Sequence, residues 1–339
     1  MRAFKKPQRI IVMRYRFIGD TLLAVPFLRN LRRAFPEAHI DFLVASNSGE
    51  LLARCPYVNN LIYFDKHKTT FTKMAAVLKQ NKYDTAFILK RSFSSAALAA
   101  LAGVPQRVGF DTEFRQLLLT HPVAYGQKQN HHERDYFLDV LSAVNIPVLD
   151  THLEYWPDAK AEQKITAAFA PYAKRRNVQI HLTSSNPAKQ WPVKHWEALV
   201  QRLLAEDSNV TLHAVGATAD AAQYDAVAKL AGDRFVNWCG KTSLDDSMAL
   251  IRHMQLVIGV DSGTLHMASV AGVPVVALFG PMNPEQWLPP NAVAVTKSLA
   301  CRPCNLKTPC RYQFECMTTL SPDTVYQQVS TLWPALSQH

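Results

Sequence analysis

VIGVDSGTLHMASVAGVPVVALFGP, residues 257–281, decides the fold class. An apolar strand ends at Asp261, a small turn of Ser262 and Gly263 follows, a helix carries His266, and a second apolar strand closes at Gly280 and Pro281. Strand, turn, helix and strand in such a short span make one unit of a wound α/β sheet. Gly263 lets another backbone come close, and the unbonded N–H groups of a helix's first turn suit phosphate oxygens. Ordinary helix capping by Asp261 or Ser262 accounts for the same residues.

The alternation extends outward from there. Upstream, strands are expected at 178–182, 210–215 and 256–260, with helices at 194–204, 219–230 and 244–253 and a further strand at 274–279. Earlier in the chain, residues 9–14 read as a short buried strand. From 21 to 35, apolar residues recur at helical spacing through Leu22, Val25, Leu28, Leu31 and Ala34. Strands at 39–44, 58–64 and 85–89 and helices at 73–79 and 94–102 repeat the pattern. Between 112 and 170 the regularity fades to one helix at 136–144 and a polar stretch with Pro147, Pro157 and Asp158. The boundary therefore falls near Pro157. The expectation is an α/β protein of two doubly wound domains, 1–157 and 158–339, facing across a cleft, with ligands beyond the carboxyl ends of strands.

Composition agrees with this class. The 339 residues are 48% hydrophobic and 19% charged, which excludes disorder and low-complexity classes. No apolar run reaches the roughly 18 residues of a membrane helix. The basic start, residues 1–16, lacks the apolar centre of a secretory signal, so the expected compartment is the cytoplasm. Net charge is +10, and residues 1–36 hold nine Lys or Arg against Asp20 alone. Such a field favours anionic partners, and an acidic membrane surface is one of them. A solvated basic face accounts for the same charge. No sequence-readable nucleic-acid module is present.

Two further stretches follow expected strands. TSSNPAKQWP, residues 183–192, offers the hydroxyls of Ser184 and Ser185 and the compact ammonium of Lys189. A lone loop lysine is usually solvated, but two phosphate-suited loops on one sheet point to an anionic ligand. FIGDTLLAVP, residues 17–26, has Gly19 standing alone, so no G-x-G-x-x-G fingerprint of a nicotinamide enzyme exists. Asp20 there reads either as an N-cap or as an acceptor of a substrate hydroxyl's proton, a role worth about 10²- to 10⁴-fold in rate. Cys301, Cys304, Cys310 and Cys316 fit a structural zinc site only in part, because the later two are separated by five residues rather than two. Disulfides are not expected in the cytosol, and inert or weakly metal-binding thiols are the favoured reading.

Four pieces carry a resemblance spread in order over nearly the whole chain. They are RFIGDTLLAVPFLRNLRRAFPEAHIDFLV (16–44), SSNPAKQWPVKHW (184–196), GVDSGTLHMASVAGVPVVALFGP (259–281) and CRPCNLKTPCRYQFECM (301–317). Together they resemble the ADP-heptose:lipopolysaccharide heptosyltransferases, glycosyltransferase family nine. The resemblance implies a GT-B architecture, with the acceptor bound mainly by the first Rossmann-like domain and the donor by the second. The C-terminal helix is expected to pack back on the first domain. It implies inverting transfer from ADP-heptose to a hydroxyl of the lipid A-linked core oligosaccharide, with no cofactor and no metal needed. It puts the catalytic base on Asp20 and the pyrophosphate contact on Lys189 beside Ser184 and Ser185. The diphosphate turn falls on Asp261, Ser262, Gly263 and His266, and further donor contacts on Gly216 and Thr242. Arg14 and Arg16, with Arg29, Arg32 and Arg33 nearby, become candidates for attracting the anionic acceptor or the inner membrane surface. QNHHERDYF, 129–137, resembles an acceptor-side region and is assigned no role.

Overall fold

The computed structural model describes residues 3–65, 68–126 and 131–332. The chain divides into two compact units, Met1–Trp156 and Pro157–His339.

In the first unit, six strands form one sheet: β1 (Arg9–Met13), β2 (His39–Val44), β3 (Asn60–Tyr63), β4 (Thr85–Ile88), β5 (Gln106–Phe110) and β6 (His121–Val123). Every pairing is parallel, and the order is β3-β2-β1-β4-β5-β6. Period-two alternation sends β1 side chains to both faces. Ile10 and Val12 join Phe27, Leu31, Phe42 and Phe137 in one core, while Ile11 and Met13 join Leu78, Ile88 and Leu98 in the other.

The second unit holds β7 (Arg176–His181), β8 (Val210–Ala214), β9 (Phe235–Asn237), β10 (Leu256–Val260), β11 (Val275–Phe279) and β12 (Ala292–Thr296), all parallel. Their order, β12-β11-β10-β7-β8-β9, repeats the first sheet read from the other edge. In each unit the winding reverses between the first and fourth strands, which places a topological switch point at the ends of β1 and β4 and again at β7 and β10. Trp196 of the helix Val193–Glu206 is fully buried between this sheet and the helix Pro322–Leu332, which packs on Val193–Glu206, β11 and β12 of its own unit. Among the described residues no helix is long and apolar enough to cross a membrane.

Several elements differ from the sequence expectation, each for a local reason. The expected helix over 21–35 is two helices, Ile18–Leu23 and Val25–Ala34. Pro26 has no N–H to bond the carbonyl four residues back, so the chain restarts at Val25 with proline in the first turn. The expected helix over 219–230 is a 3₁₀ stretch, Thr218–Tyr224, followed by Asp225–Ala231. β6 and β9 have three residues each, too short to show a period, and β5 opens on the polar pair Gln106 and Arg107. The polar helix Ala159–Phe169 buries only Ala161, Ile165 and Phe169.

Candidate active site

In the second unit, the loops after β7 and β10 are neighbours because their strands pair directly. After β7, Asn186 caps the 3₁₀ turn Pro187–Lys189, its Oδ1 accepting from the Ala188 N–H at 3.0 Å. That turn aims Lys189 across the sheet, where Nζ lies 2.7 Å from Oδ2 of Asp261 at the end of β10. Ser184 accepts from the Asn186 N–H at 3.4 Å, and Ser185 is exposed. Gly259 makes this closeness possible, since a Cβ there would stand 2.9 Å from Cβ of His181 and 3.0 Å from Leu265.

Ser262 occupies the N-cap position of the helix Gly263–Val270, yet its hydroxyl makes no capping bond. Its Oγ is buried and has no hydrogen-bond partner. Capping by the Ser262 hydroxyl therefore does not account for this turn. His266 lies in the same turn, 4% exposed. An ammonium, a hydroxyl and helix N–H groups converge here, an arrangement suited to phosphate oxygens. Two more loops border the same sheet edge. Gly216 after β8 and Gly240 after β9 are tied by the Gly240 N–H donating to the Gly216 carbonyl at 2.9 Å. Gly240 has φ +73°, and a Cβ there would stand 2.4 Å from Thr218 Oγ1, so both backbone conformation and space require glycine. Thr242 is 2.9 Å from the Ser247 hydroxyl.

The first unit assembles a different group. Asp20 is the third residue of Ile18–Leu23, and the N-cap position belongs to Phe17, which cannot cap. The capping reading of Asp20 is thus replaced by an ion pair, Arg14 Nη2 to Asp20 Oδ2 at 2.6 Å, with the two side chains 10% and 3% exposed. Arg14 also reaches toward Glu133 at 4.0 Å, and Arg91 holds Glu133 by a hydrogen bond from Nη2 to Oε2 and an ion-pair contact of Nη1 with Oε1, each 3.0 Å. Burial works most strongly against the charge of Arg91, but Glu133, Tyr125 and Asp20 together outweigh it and hold the guanidinium pKa above its ordinary value. The structure thus brings Arg14 to Asp20 and leaves Arg16 exposed, its guanidinium 4.6 Å from the Phe17 ring centroid. Arg91 and Glu133 were not singled out from sequence, although Arg91 sits just beyond an expected strand.

Arg29 and Arg32 are occupied by contacts within the first unit. Arg29 is 2% exposed, paired with Asp150 at 3.0 Å and with Glu154, and bonded to the His152 carbonyl at 3.0 Å. Arg32 bonds the Pro36 carbonyl at 3.0 Å and Asn59 at 2.7 Å. Arg33 is exposed, 3.7 Å from Asp150. Of the segment 129–137, Gln129 and Asn130 lie outside the described residues.

Cys316 is buried beside Gly280, Cys304 is half-buried near the Pro281 carbonyl, and Cys301 and Cys310 are exposed. Among the described residues no group of three or more His, Cys, Asp or Glu side chains is placed to hold a metal ion.

The family model for glycosyltransferase family 9 (heptosyltransferase) matches residues 71–314. Lipopolysaccharide heptosyltransferase 2 of Escherichia coli (strain K12) is 26% identical over 299 residues, covering 83% of this chain and 85% of that protein. A glycosyl transferase family 9 crystal structure from Veillonella parvula DSM 2008 superposes with a TM-score of 0.85 at 20% identity, over 100% of both chains. The structure of E. coli ADP-heptose lps heptosyltransferase II gives 0.77 at 23% identity, over 98% of this chain and 99% of the other. With two parallel Rossmann-like sheets of GT-B type, the chain belongs to glycosyltransferase family 9, the heptosyltransferases.

Proposed function

We propose that this enzyme moves heptose from ADP-heptose to a hydroxyl of the lipopolysaccharide inner core, with inversion at the anomeric carbon. The acceptor oxygen attacks that carbon, the bond to the diphosphate oxygen breaks, ADP leaves with the electron pair, and the acceptor's proton passes to Asp20. Unit 1 supplies the base, held in place by Arg14. Unit 2 meets the charge growing on the departing diphosphate with Lys189, His266 and the first-turn N–H groups at Ser262 and Gly263, so that stabilisation is aimed at the transition state. Ser184, Ser185, Gly216, Thr242 and Asp261 complete the donor contacts in this reading. These residues take the place of a metal in offsetting the diphosphate charge. Asp20 precedes the residues that the family model matches, so its role rests on its burial and on the Arg14 pair.

The observation that carries the reading is the turn after β10, where a buried hydroxyl has no protein partner and an ammonium is held 2.7 Å from Asp261. The acceptor is lipid-anchored, so the enzyme works in the cytoplasm at the anionic inner face of the membrane. Incubation with ADP-heptose and truncated core acceptors, followed by mass spectrometry and linkage analysis, tests the whole scheme. Release of ADP with addition of one heptose is the expected result. Consumption of a different nucleotide sugar while ADP-heptose stays intact rejects the donor.

A further inference from the structure

Four side chains of the first unit stand in a row of alternating charge. Oδ2 of Asp20 lies 2.6 Å from Nη2 of Arg14, and that same Nη2 lies 4.0 Å from Oε1 of Glu133. Nη1 of Arg91 is in turn 3.0 Å from that Oε1. Each member comes from a different element: Arg14 follows β1, Asp20 sits in the helix Ile18–Leu23, Arg91 follows β4 and Glu133 opens the helix Glu133–Ser142. Asp20 and Arg14 are 3% and 8% exposed, and Glu133 is fully buried. Aromatic rings wall the row. The Arg14 guanidinium is 5.4 Å from the Phe137 ring centroid, and that of Arg91 is 4.5 Å from the Tyr125 centroid and 5.8 Å from that of Tyr136.

The row bears directly on proton transfer. An ionised Asp20 balances Arg14. Once Asp20 holds the acceptor's proton, a buried guanidinium faces a neutral group, and a buried charge without a partner is costly. Glu133 already stands 4.0 Å from the same nitrogen, so a shift of about 1 Å brings the guanidinium to hydrogen-bond distance from it. Arg91 holds Glu133 in place to receive it. We propose that Glu133 takes over Arg14 during transfer. The acceptor O–H bond breaks, its proton bonds to Asp20, ADP leaves with the electron pair of the anomeric bond, and Arg14 passes from Asp20 to Glu133 with all its own protons. Glu133 is then a positioning residue for the base, and Arg91 a positioning residue for Glu133. The inference rests on Asp20 acting as the base and deepens that reading.

Two measurements on the full chain test it. Asp20→Asn copies the protonated carboxyl in shape and charge, so a crystal structure of that variant should show the Arg14 guanidinium within about 3 Å of Glu133. A guanidinium that keeps its wild-type place overturns the proposal, whichever donor the enzyme uses. In steady-state transfer, Glu133→Gln should lower kcat about 10- to 100-fold, the scale of one charge-assisted contact, with the KM values for donor and acceptor unchanged. Placed in the Asp20→Asn background it should cause no further loss, because both residues act in one step. A merely structural role would lower activity by the same factor in both backgrounds and raise KM. Unchanged kcat in folded Glu133→Gln, or losses that multiply, overturns the proposal while leaving Asp20 as the base. Arg91→Lys, which retains the cation, should cost less than Arg91→Met; this pair keeps the test valid should Glu133→Gln fold poorly, and equal losses in the two count against the proposal. Undiminished turnover in Asp20→Asn removes the base and the proposal with it. Should the wild type consume another nucleotide sugar instead of ADP-heptose, the same comparisons run with that donor, and the donor reading fails alone.

Discussion

Replacing Lys189 with methionine tests the donor site most sharply, because the side-chain stem is kept and only the charge is lost. The ammonium lies 2.7 Å from Asp261, with the two side chains 21% and 10% exposed. A charge-assisted bond from this ammonium to a diphosphate oxygen is worth about 1.5–3 kcal/mol, or roughly 10- to 150-fold in affinity. A second effect adds to the first, because Asp261 keeps its negative charge and now faces the ligand without the Lys189 ammonium. Calorimetric titration should therefore show ADP binding weakened by at least about tenfold in Lys189→Met. Adding Asp261→Asn to that variant should recover part of the loss by removing the repulsion. Stability falls too. Breaking a fully buried pair costs about 3–5 kcal/mol, and the water reaching Lys189 reduces this to roughly 1–2, a few degrees in Tm for a unit of this size. An ADP dissociation constant within about twofold of wild type in the folded Lys189→Met protein would refute the assignment.

Other outcomes follow from the same geometry. Asp20→Asn should lower kcat by about 10²- to 10⁴-fold while ADP affinity stays unchanged, and undiminished turnover removes Asp20 as the base. Gly259→Ala pushes a methyl to 2.9 Å from His181 and 3.0 Å from Leu265, so it should cost about 1–3 kcal/mol, read as a lowered Tm. Burial lowers the pKa of His181 to about 4 and of His213 to about 3, from 6.5. Stability is therefore full above about pH 6.5 and declines below it, because the unfolded chain takes up protons that the folded one refuses; at pH 5 each costs about 2 kcal/mol. Equal melting temperatures at pH 7 and pH 5 would contradict this. Transfer should persist in excess chelator, and activity lost and then restored by added metal would show that Lys189 and the helix N–H groups do not suffice.

Much of the architecture was legible because buried parallel strands announce themselves. Residues 256–260 and 275–279 are fully apolar runs, and the loops after them carry the Ser-Gly turn and the Gly-Pro end. The spacing of these loops also pointed to Lys189 and Asp261, although nothing local showed that the two meet; that contact follows from β7 and β10 pairing across the 74 residues between them. Glu133 could not be found in this way, since it opens a polar-looking helix and its partners Arg14 and Arg91 come from two distant strand ends. Arg29 was misleading for the opposite reason. It belongs to a conspicuous basic cluster, yet tertiary structure buries it against Asp150 and Glu154.

That arginine has a practical consequence for recombining this enzyme with its relatives. Arg29 fastens residues 150–154 to the first unit, and Arg54 donates to the Trp156 carbonyl at 3.0 Å. A chimera spliced just after the helix Glu133–Ser142 would strand these guanidiniums beside a foreign peptide. Crossing over at Pro157 keeps the whole fastening with its parent, and the first unit can then be exchanged as a cassette.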